Sequence, residues 1–341
     1  MPSLKRFNTF GMDVDAKYIY EIYDFAQFSM VFQLINQKKL PFVVLGEGSD
    51  VLFTKDFDGV VIINKLKGIE VNEDLDYYYV KLQAGEKLHD AIKNLMNRKI
   101  YGLENLALIP GTAGAAPIQN VGAYGSSFSD FCRYVEVLDL EHKKLDRIWA
   151  KDCGFGYRTS IFKNKENINR YIITAVELKL PKAYTLNTTY KAFENIKIET
   201  PEELFEAVCS IRKAKLPDPK EIGNAGSFFK NPIISKEQLK KISKEYPNVV
   251  YYPTQDENKF KVAAGWLIDK AGCKGMTLGN AGTYDKQALV IVNLNQATPN
   301  EILQVVNFIV SKVYEIFEIK LEPEVRIYGK EGEINYETCQ N

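Results

Sequence analysis

Histidine is the scarcest chemical resource of this sequence, since the 341 residues contain only His89 and His142. Both sit among charged neighbours, in Lys87-Leu-His-Asp and Glu141-His-Lys-Lys. A Ser-His-Asp hydrolase or a multi-histidine metal centre lacks its parts here, and we expect no metal site. Cysteine is sparse as well. Cys132, Cys153, Cys209, Cys273 and Cys339 are odd in number, widely separated and free of any C-x-x-C spacing. That argues against a zinc site or disulfide frame and for reduced thiols in a cytoplasm. Long apolar runs are missing: nothing approaches the roughly 18 to 20 apolar residues of a membrane span. The start, Met1-Pro-Ser-Leu-Lys-Arg-Phe, has no apolar core of signal-peptide length. Neither sign of charge is in excess, with Lys plus Arg and Asp plus Glu at 44 each, so no global field draws the chain to nucleic acid or an anionic membrane. We expect a cytoplasmic monomer that acts on a small molecule. Acid–base chemistry near neutral pH falls to carboxylates, lysine, tyrosine and hydroxyls.

What is present is enough chain for two or three domains. Phe28, Val31, Phe32 and Ile35 lie at helical spacing, and the buried runs Phe42-Val-Val-Leu and Val60-Val-Ile-Ile63 flank Gly46-Glu-Gly-Ser-Asp50. Tyr77 to Leu82, Tyr134 to Leu140 and Tyr171 to Leu180 read as strands, and Leu88, Ala91, Ile92, Leu95 and Met96 as an amphipathic helix. Thr200-Pro-Glu-Glu203 and Thr298-Pro-Asn-Glu301 are capping boxes with proline at the first helical position. Leu216-Pro-Asp-Pro-Lys220 reads as a stiff linker, and Leu321 to Tyr328 as a last strand. Without regular βαβ spacing, the pattern favours α+β over a doubly wound sheet.

Two glycine-rich segments suit phosphate. In Gly46-x-Gly48-Ser49, after a strand, glycine lets successive N–H groups turn toward an anion; the segment reads equally as a strand-end turn, and it lacks the third glycine of a dinucleotide fingerprint. Pro110 to Gly125 holds four more glycines, with Gln119 and Asn120 supplying amide groups. An irregular loop of that length inside a domain is usually functional. Arg158, in Gly156-Tyr-Arg-Thr-Ser160, is placed either to clamp a carboxylate or to form a surface salt bridge. Ser227, in Gly223-Asn-Ala-Gly-Ser-Phe-Phe-Lys-Asn-Pro232, is either a proton donor held on a tight backbone or a turn serine. Period two places Glu324, Arg326 and Tyr328 on one strand face with Val325 and Ile327 toward the core, as a site or a structural ion pair.

In this order the segments resemble the UDP-N-acetylenolpyruvoylglucosamine reductase family. The likeness runs from Asn8-Thr-Phe10 through Gly46-Glu-Gly-Ser, Ile109-Pro-Gly-Thr-Ala-Gly and Tyr157-Arg-Thr-Ser to Gly223–Pro232, Ala264-Gly-Trp-Leu-Ile-Asp269 and Glu324-Val-Arg326. Lys215-Leu-Pro-Asp-Pro-Lys and the insertion around Tyr190 resemble the longer form, in which a tyrosine loop covers the substrate. The resemblance implies a two-part FAD-binding domain of the p-cresol methylhydroxylase/vanillyl-alcohol oxidase type and a C-terminal α+β substrate domain. It divides the chain at 1–70, completed by about 321–341, then 71–216 and 217–320. It implies FAD as cofactor, NADPH as hydride donor, a UDP-sugar substrate in peptidoglycan synthesis, and Arg158, Ser227 and Glu324 as catalytic. FAD would be held by Gly46, Gly48, Ser49, Gly111, Gly114, Gln119, Asn120, Gly122, Ala123, Tyr124 and Arg326. The UDP moiety would fall to Tyr190, Lys215, Asn231, Tyr252, Lys261 and Gln287. One position departs from the family pattern: Asp50 stands where asparagine is common, and a carboxylate beside pyrophosphate is repelled unless it turns to a cation or to backbone donors. A flavin oxidase with covalently held flavin is one competing reading, and a catalytically idle UDP-sugar binder is another.

Overall fold

Phe42–Leu45 pairs in parallel with Phe57–Asn64, in register from Phe42 with Val60 to Leu45 with Ile63. Ala16–Ile22 makes the pair a three-stranded sheet. In this computed structural model, which describes residues 1–339, helix α1 (Phe25–Lys38) starts where the Asp24 side chain accepts from the Gln27 N–H. It ends at Lys39, whose φ of 50° is left-handed. Its apolar stripe of Phe28, Val31 and Ile35 packs with Ile22, Val60, Ile62 and Leu66, each large side chain contributing about 1.5–3 kcal/mol by burial.

A five-stranded antiparallel sheet follows, ordered Lys144–Trp149, Cys132–Asp139, Tyr171–Pro181, Tyr77–Gln83, Ile69–Glu73. Helix α2 (Leu88–Asn97) lays Leu88, Ala91, Ile92 and Leu95 into a core with Val80, Leu82, Val135 and Val176. Helix α3 (Pro201–Lys215) opens on the expected capping box: Glu203 N–H donates to Thr200 Oγ1 at 3.2 Å and Thr200 N–H to Glu203 Oε2 at 3.1 Å. Leu204 and Val208 form a smaller core with Ala107 and Phe193. These elements make one compact unit, Lys17–Gly48 with Asp58–Ala214, here the central unit.

The other compact unit, the terminal unit, joins Met1–Ala16, Ser49–Phe57 and Lys215–Asn341. Its four-stranded sheet runs Gly223–Ser227, Val290–Asn293, Ala281–Thr283, Thr277–Leu278. Besides helices α4 (Lys236–Glu245) and α5 (Ala264–Lys270) it has the long α6 (Pro299–Phe317), whose Ile302, Val305, Val306, Ile309 and Val313 are buried. The Thr298–Glu301 capping box is closed in both directions. A second sheet orders Ile233–Ser235, Lys259–Val262, Tyr251–Pro253. In a third, Val51–Phe53 pairs in parallel with Arg326–Tyr328, and Glu333–Ile334 adds on the far side.

One expectation is corrected: the last strand spans only Arg326–Tyr328. Arg326 and Tyr328 do share a face, as period two requires, with the guanidinium 5.4 Å from the Tyr328 ring centroid. Tyr328 is 2% exposed and stacks on Phe53 at 5.2 Å. The two histidines differ in setting. His89 stacks on Phe205 at 5.5 Å and accepts the Leu108 N–H at Nδ1, 3.1 Å, so burial lowers its basicity. His142 is held by Asp139 at 2.9 Å. All five cysteines are free, three of them buried, and burial pushes the Cys153 thiol up to about 12.

Candidate active site

In the central unit the two glycine loops are packed together. A Cβ on Gly46 would strike the Thr112 side chain, and one on Gly114 would lie 2.5 Å from the Ala84 Cβ, so both positions demand glycine for close approach. Glu47, between the first two glycines, stitches the loops. Its carboxylate accepts the Gly111 N–H at 3.0 Å and pairs with Lys87 Nζ at 2.6 Å. Nothing in the sequence singled out Glu47, which occupies the variable position of the motif.

The Gly156–Lys163 segment runs along the second loop and is fastened to it residue by residue. Asn120 Nδ2 donates to Gly156 O and Arg158 Nη2 to Gly122 O, both at 3.1 Å. Ser160 Oγ donates to Ile118 O at 2.6 Å, and Lys163 Nζ to Gln119 Oε1 at 3.3 Å. Asn120 also accepts from the Ser129 N–H at 2.8 Å, so its amide braces the loop. Asn120, Tyr124 and Arg158 all have left-handed φ, at 47°, 49° and 54°. Such strain costs of order 1–3 kcal/mol each and gathers where function over-determines the backbone.

Tyr124, at the end of this loop, meets Tyr190 edge-on at 5.5 Å and Phe193 at 5.7 Å. The tyrosine insertion is anchored at several points. Asn105 Nδ2 donates to the carbonyls of Tyr124 (2.8 Å) and Asn187 (2.9 Å), while Asn187 Nδ2 donates to Gly125 O (3.1 Å) and Ser126 Oγ (3.0 Å). Tyr184 donates its hydroxyl to the buried Glu104 at 2.8 Å. Asn105 and Glu104 were not legible as site residues, because their partners lie up to 82 positions away in sequence.

In the terminal unit Ser227 stands at an irregularity. Pairing with Val290–Asn293 slips between Asn224 and Ser227, where Gly226 has a φ of 69° and its N–H donates to Asn224 Oδ1 at 2.9 Å. The N-terminal Asn8-Thr-Phe motif supports this turn: Thr9 Oγ1 donates to Asn224 O at 2.6 Å, and Gly223 lies so close to the Phe10 carbonyl that a Cβ cannot fit. The chain before the last strand lies alongside. Phe229 and Pro323 form an isolated bridge, and Glu324 N–H donates to Phe228 O at 2.7 Å. The segments that carry Ser227 and Glu324, far apart in sequence, thereby run side by side.

Two residues on, Arg326 donates through Nε (3.1 Å) and Nη2 (2.5 Å) to Glu333. Burial alone would lower its basicity, but Tyr328, Glu333 and Asp50 raise it. Asp50 contributes the smallest share of that effect, and its backbone carbonyl accepts the Arg326 N–H at 3.1 Å. Among the UDP candidates, Asn231 Oδ1 accepts from the Ala264 N–H at 2.9 Å, and Gln287 Oε1 would lie 2.8 Å from a Cβ on Gly265, so both meet the start of α5. Tyr252 and Lys261 are cross-strand partners, with the ammonium 5.8 Å from the ring centroid. Lys215 is exposed at the end of α3. Arg158, the glycine loops and Tyr190 thus belong to the central unit, whereas Ser49, Arg326, Ser227, Glu324, Lys215 and the remaining UDP candidates belong to the terminal one.

The family model described as FAD binding domain matches residues 17–142, and that described as UDP-N-acetylenolpyruvoylglucosamine reductase, C-terminal domain, matches 218–328. A curated UDP-N-acetylenolpyruvoylglucosamine reductase from Pasteurella multocida is 44% identical over 339 residues, 99% of each chain. The chain belongs to the UDP-N-acetylenolpyruvoylglucosamine reductase family. The reductase of that name from Buchnera aphidicola is 46% identical over 95% of this chain and 98% of its own. A crystal structure of the Thermus caldophilus reductase superposes with a TM-score of 0.65 at 25% identity, covering 96% of this chain and 97% of that one. As a member of this reductase family the chain is an FAD-dependent oxidoreductase with the expected α+β fold. No helix among the described residues is long and apolar enough to cross a membrane.

Proposed function

We propose that this protein reduces the enolpyruvyl group of UDP-N-acetylglucosamine enolpyruvate to give UDP-N-acetylmuramate for peptidoglycan, with NADPH as the reductant. Full-length identity to reductases of that name carries the reading. Glycine at 46 and 114 lets the central unit's loops pack on Thr112 and Ala84, and glycine-rich loops suit FAD because their turning backbone N–H groups can face a pyrophosphate. Gly46, Gly48, Ser49, Gly111, Gly114, Gln119, Asn120, Gly122, Ala123 and Tyr124 would hold it, with Arg326 supplying positive charge toward the flavin ring. Bound there, FAD would supply hydride-transfer chemistry between NADPH and C3 of the substrate.

The chain's own residues manage the charge that follows. Hydride addition at C3 pushes the double-bond electrons toward C2 and the carboxylate, forming an enolate. Arg158, anchored by its bond to Gly122 O, offers a guanidinium to that carboxylate. Glu324 holds or shares a proton there. Ser227 gives its hydroxyl proton to C2, which completes the C2–H bond, and recovers a proton from solvent. Tyr190, Lys215, Asn231, Tyr252, Lys261 and Gln287 bind the UDP moiety. We read the protein as a cytoplasmic monomer with three functional parts, 1–70 with about 321–341, 71–216 and 217–320; the first of them draws residues from both compact units.

The purified protein should be yellow, bleach anaerobically with NADPH and recover its colour on addition of the enolpyruvyl nucleotide. A colourless protein that binds no FAD, or O₂ consumption with an alcohol in place of this cycle, would sink the reading.

A further inference from the structure

His89 is one of the chain's two imidazoles, and a single hydrogen bond defines its protonation. Its Nδ1 accepts the Leu108 N–H at 3.1 Å. An imidazole that accepts at Nδ1 carries its one proton on Nε2 and is neutral. A second proton would set an N–H against the Leu108 N–H, and the bond would be lost. The ring is half-buried and lies flat on Phe205 of α3, at 5.5 Å with 5° between the planes. Charged groups act on it from both helices, Asp90 and Lys93 on α2, Arg212 and Lys213 on α3. Burial is the main cause that holds its basicity below the ordinary histidine value; the three cations add to it, and Asp90 alone opposes.

Leu108 stands at the start of the second glycine loop. Its φ of 55° is left-handed, a conformation that an L-residue keeps only where its surroundings hold it. Further on, backbone bonds tie the loop to residues 84–88. Leu88 N–H donates to Gly111 O at 3.1 Å, Ala113 N–H to Glu86 O at 2.7 Å and Gly114 N–H to Ala84 O at 2.9 Å. At Leu108 the tie is instead a side chain, and of the one type that titrates near neutral pH.

We propose that His89 is a positioning residue for the cofactor loop: its neutral imidazole pins Leu108, and flavin affinity falls when the ring takes up a proton. The inference rests on the FAD site proposed above. Linkage gives a reciprocal consequence. A loop that needs the neutral ring to bind FAD makes FAD hold the ring neutral, so His89 titrates at lower pH in loaded than in flavin-free protein.

The test compares wild type, H89N and H89L as full-length protein. Asparagine offers an amide oxygen near the place of Nδ1 without titrating, and leucine offers no acceptor. FAD affinity is measured by calorimetry on protein stripped of flavin, from about pH 8 to about pH 5, across the histidine range. NMR follows the imidazole C2–H signals with and without FAD, and the signal absent from H89N is that of His89. Wild-type Kd should rise about tenfold more than that of H89N as pH falls, the span of one lost hydrogen bond. At the alkaline end H89N should bind like wild type and H89L about tenfold more weakly. A wild-type pH profile that matches H89N, or H89N as weak as H89L, would overturn the inference. So would wild-type affinity in H89L, or a His89 signal that titrates at the same or higher pH with FAD bound. If H89L does not fold, the wild-type and H89N profiles and the NMR titration decide. Wild type that binds FAD without dependence on His89 defeats this inference alone; wild type that binds no FAD defeats the proposed function as well.

Discussion

Glu324 donates its backbone N–H to the carbonyl of Phe228 at 2.7 Å, so the carboxylate-bearing segment is tied to the residue that follows Ser227. The bond joins two backbone groups, and either candidate side chain can therefore be changed without removing it.

Ser227→Ala should leave flavin bleaching by NADPH intact while slowing recovery by substrate about 10²–10⁴-fold, the usual worth of a positioned proton donor. Stopped-flow absorbance resolves the two half-reactions. Equal loss in both would remove Ser227 from the proton-donor role. Glu324→Gln should also slow the second half-reaction alone; recovery at the wild-type rate would make Glu324 structural.

Glu47→Ala removes the acceptor of the Gly111 N–H and the partner of Lys87. An amide left partly buried without its acceptor costs about 1–3 kcal/mol. If that loss falls on the assembled loop pair, FAD binding weakens roughly ten- to a hundredfold, which a fluorescence titration reads. Unchanged affinity would show that FAD does not need the two loops joined.

Gly226→Ala probes backbone strain rather than volume. A Cβ there meets nothing within 4 Å, but the φ of 69° is left-handed. The expected destabilisation is about 1–2 kcal/mol, seen as a lower denaturant midpoint with an unchanged m-value. A midpoint equal to wild type would show that the turn relaxes freely.

Glu104 carries a pH signature. Its burial raises the carboxyl pKa, and hydrogen bonds from Gly102 and Tyr184 only partly oppose this. The sign follows from linkage: stability from this group is full below the unfolded glutamate pKa of about 4.3 and is lost as pH rises through the raised folded value. Glu104→Gln should therefore gain on wild type between mildly acidic pH and pH 8, and the gap should close again below the unfolded pKa. Urea melts at several pH values check this; a difference constant with pH would mean that Glu104 does not titrate in that window.

Local chemistry was legible in the chain alone. The apolar stripe of α6, both capping boxes and the glycine-bearing turns depend on residues within a few positions of one another, so periodicity and caps suffice to place them. Motif order pointed to the family for the same reason, since each motif is a short continuous segment. Pairing across the chain was not legible. Glu47 on Gly111, Asn105 on Asn187 and Arg326 on Glu333 each depend on where separate loops stop and which side chain is left facing which. Spacing put Tyr328 on the face of Arg326, and the two meet there, but it did not show that Phe53 stacks on the Tyr328 ring and helps to bury it. By itself the sequence determined which residue types were available, two histidines and many hydroxyls, carboxylates and glycines. Only the tertiary structure decided which charges meet a partner and which do not, because burial and distance, the two quantities that set the cost of a charge, belong to the folded chain.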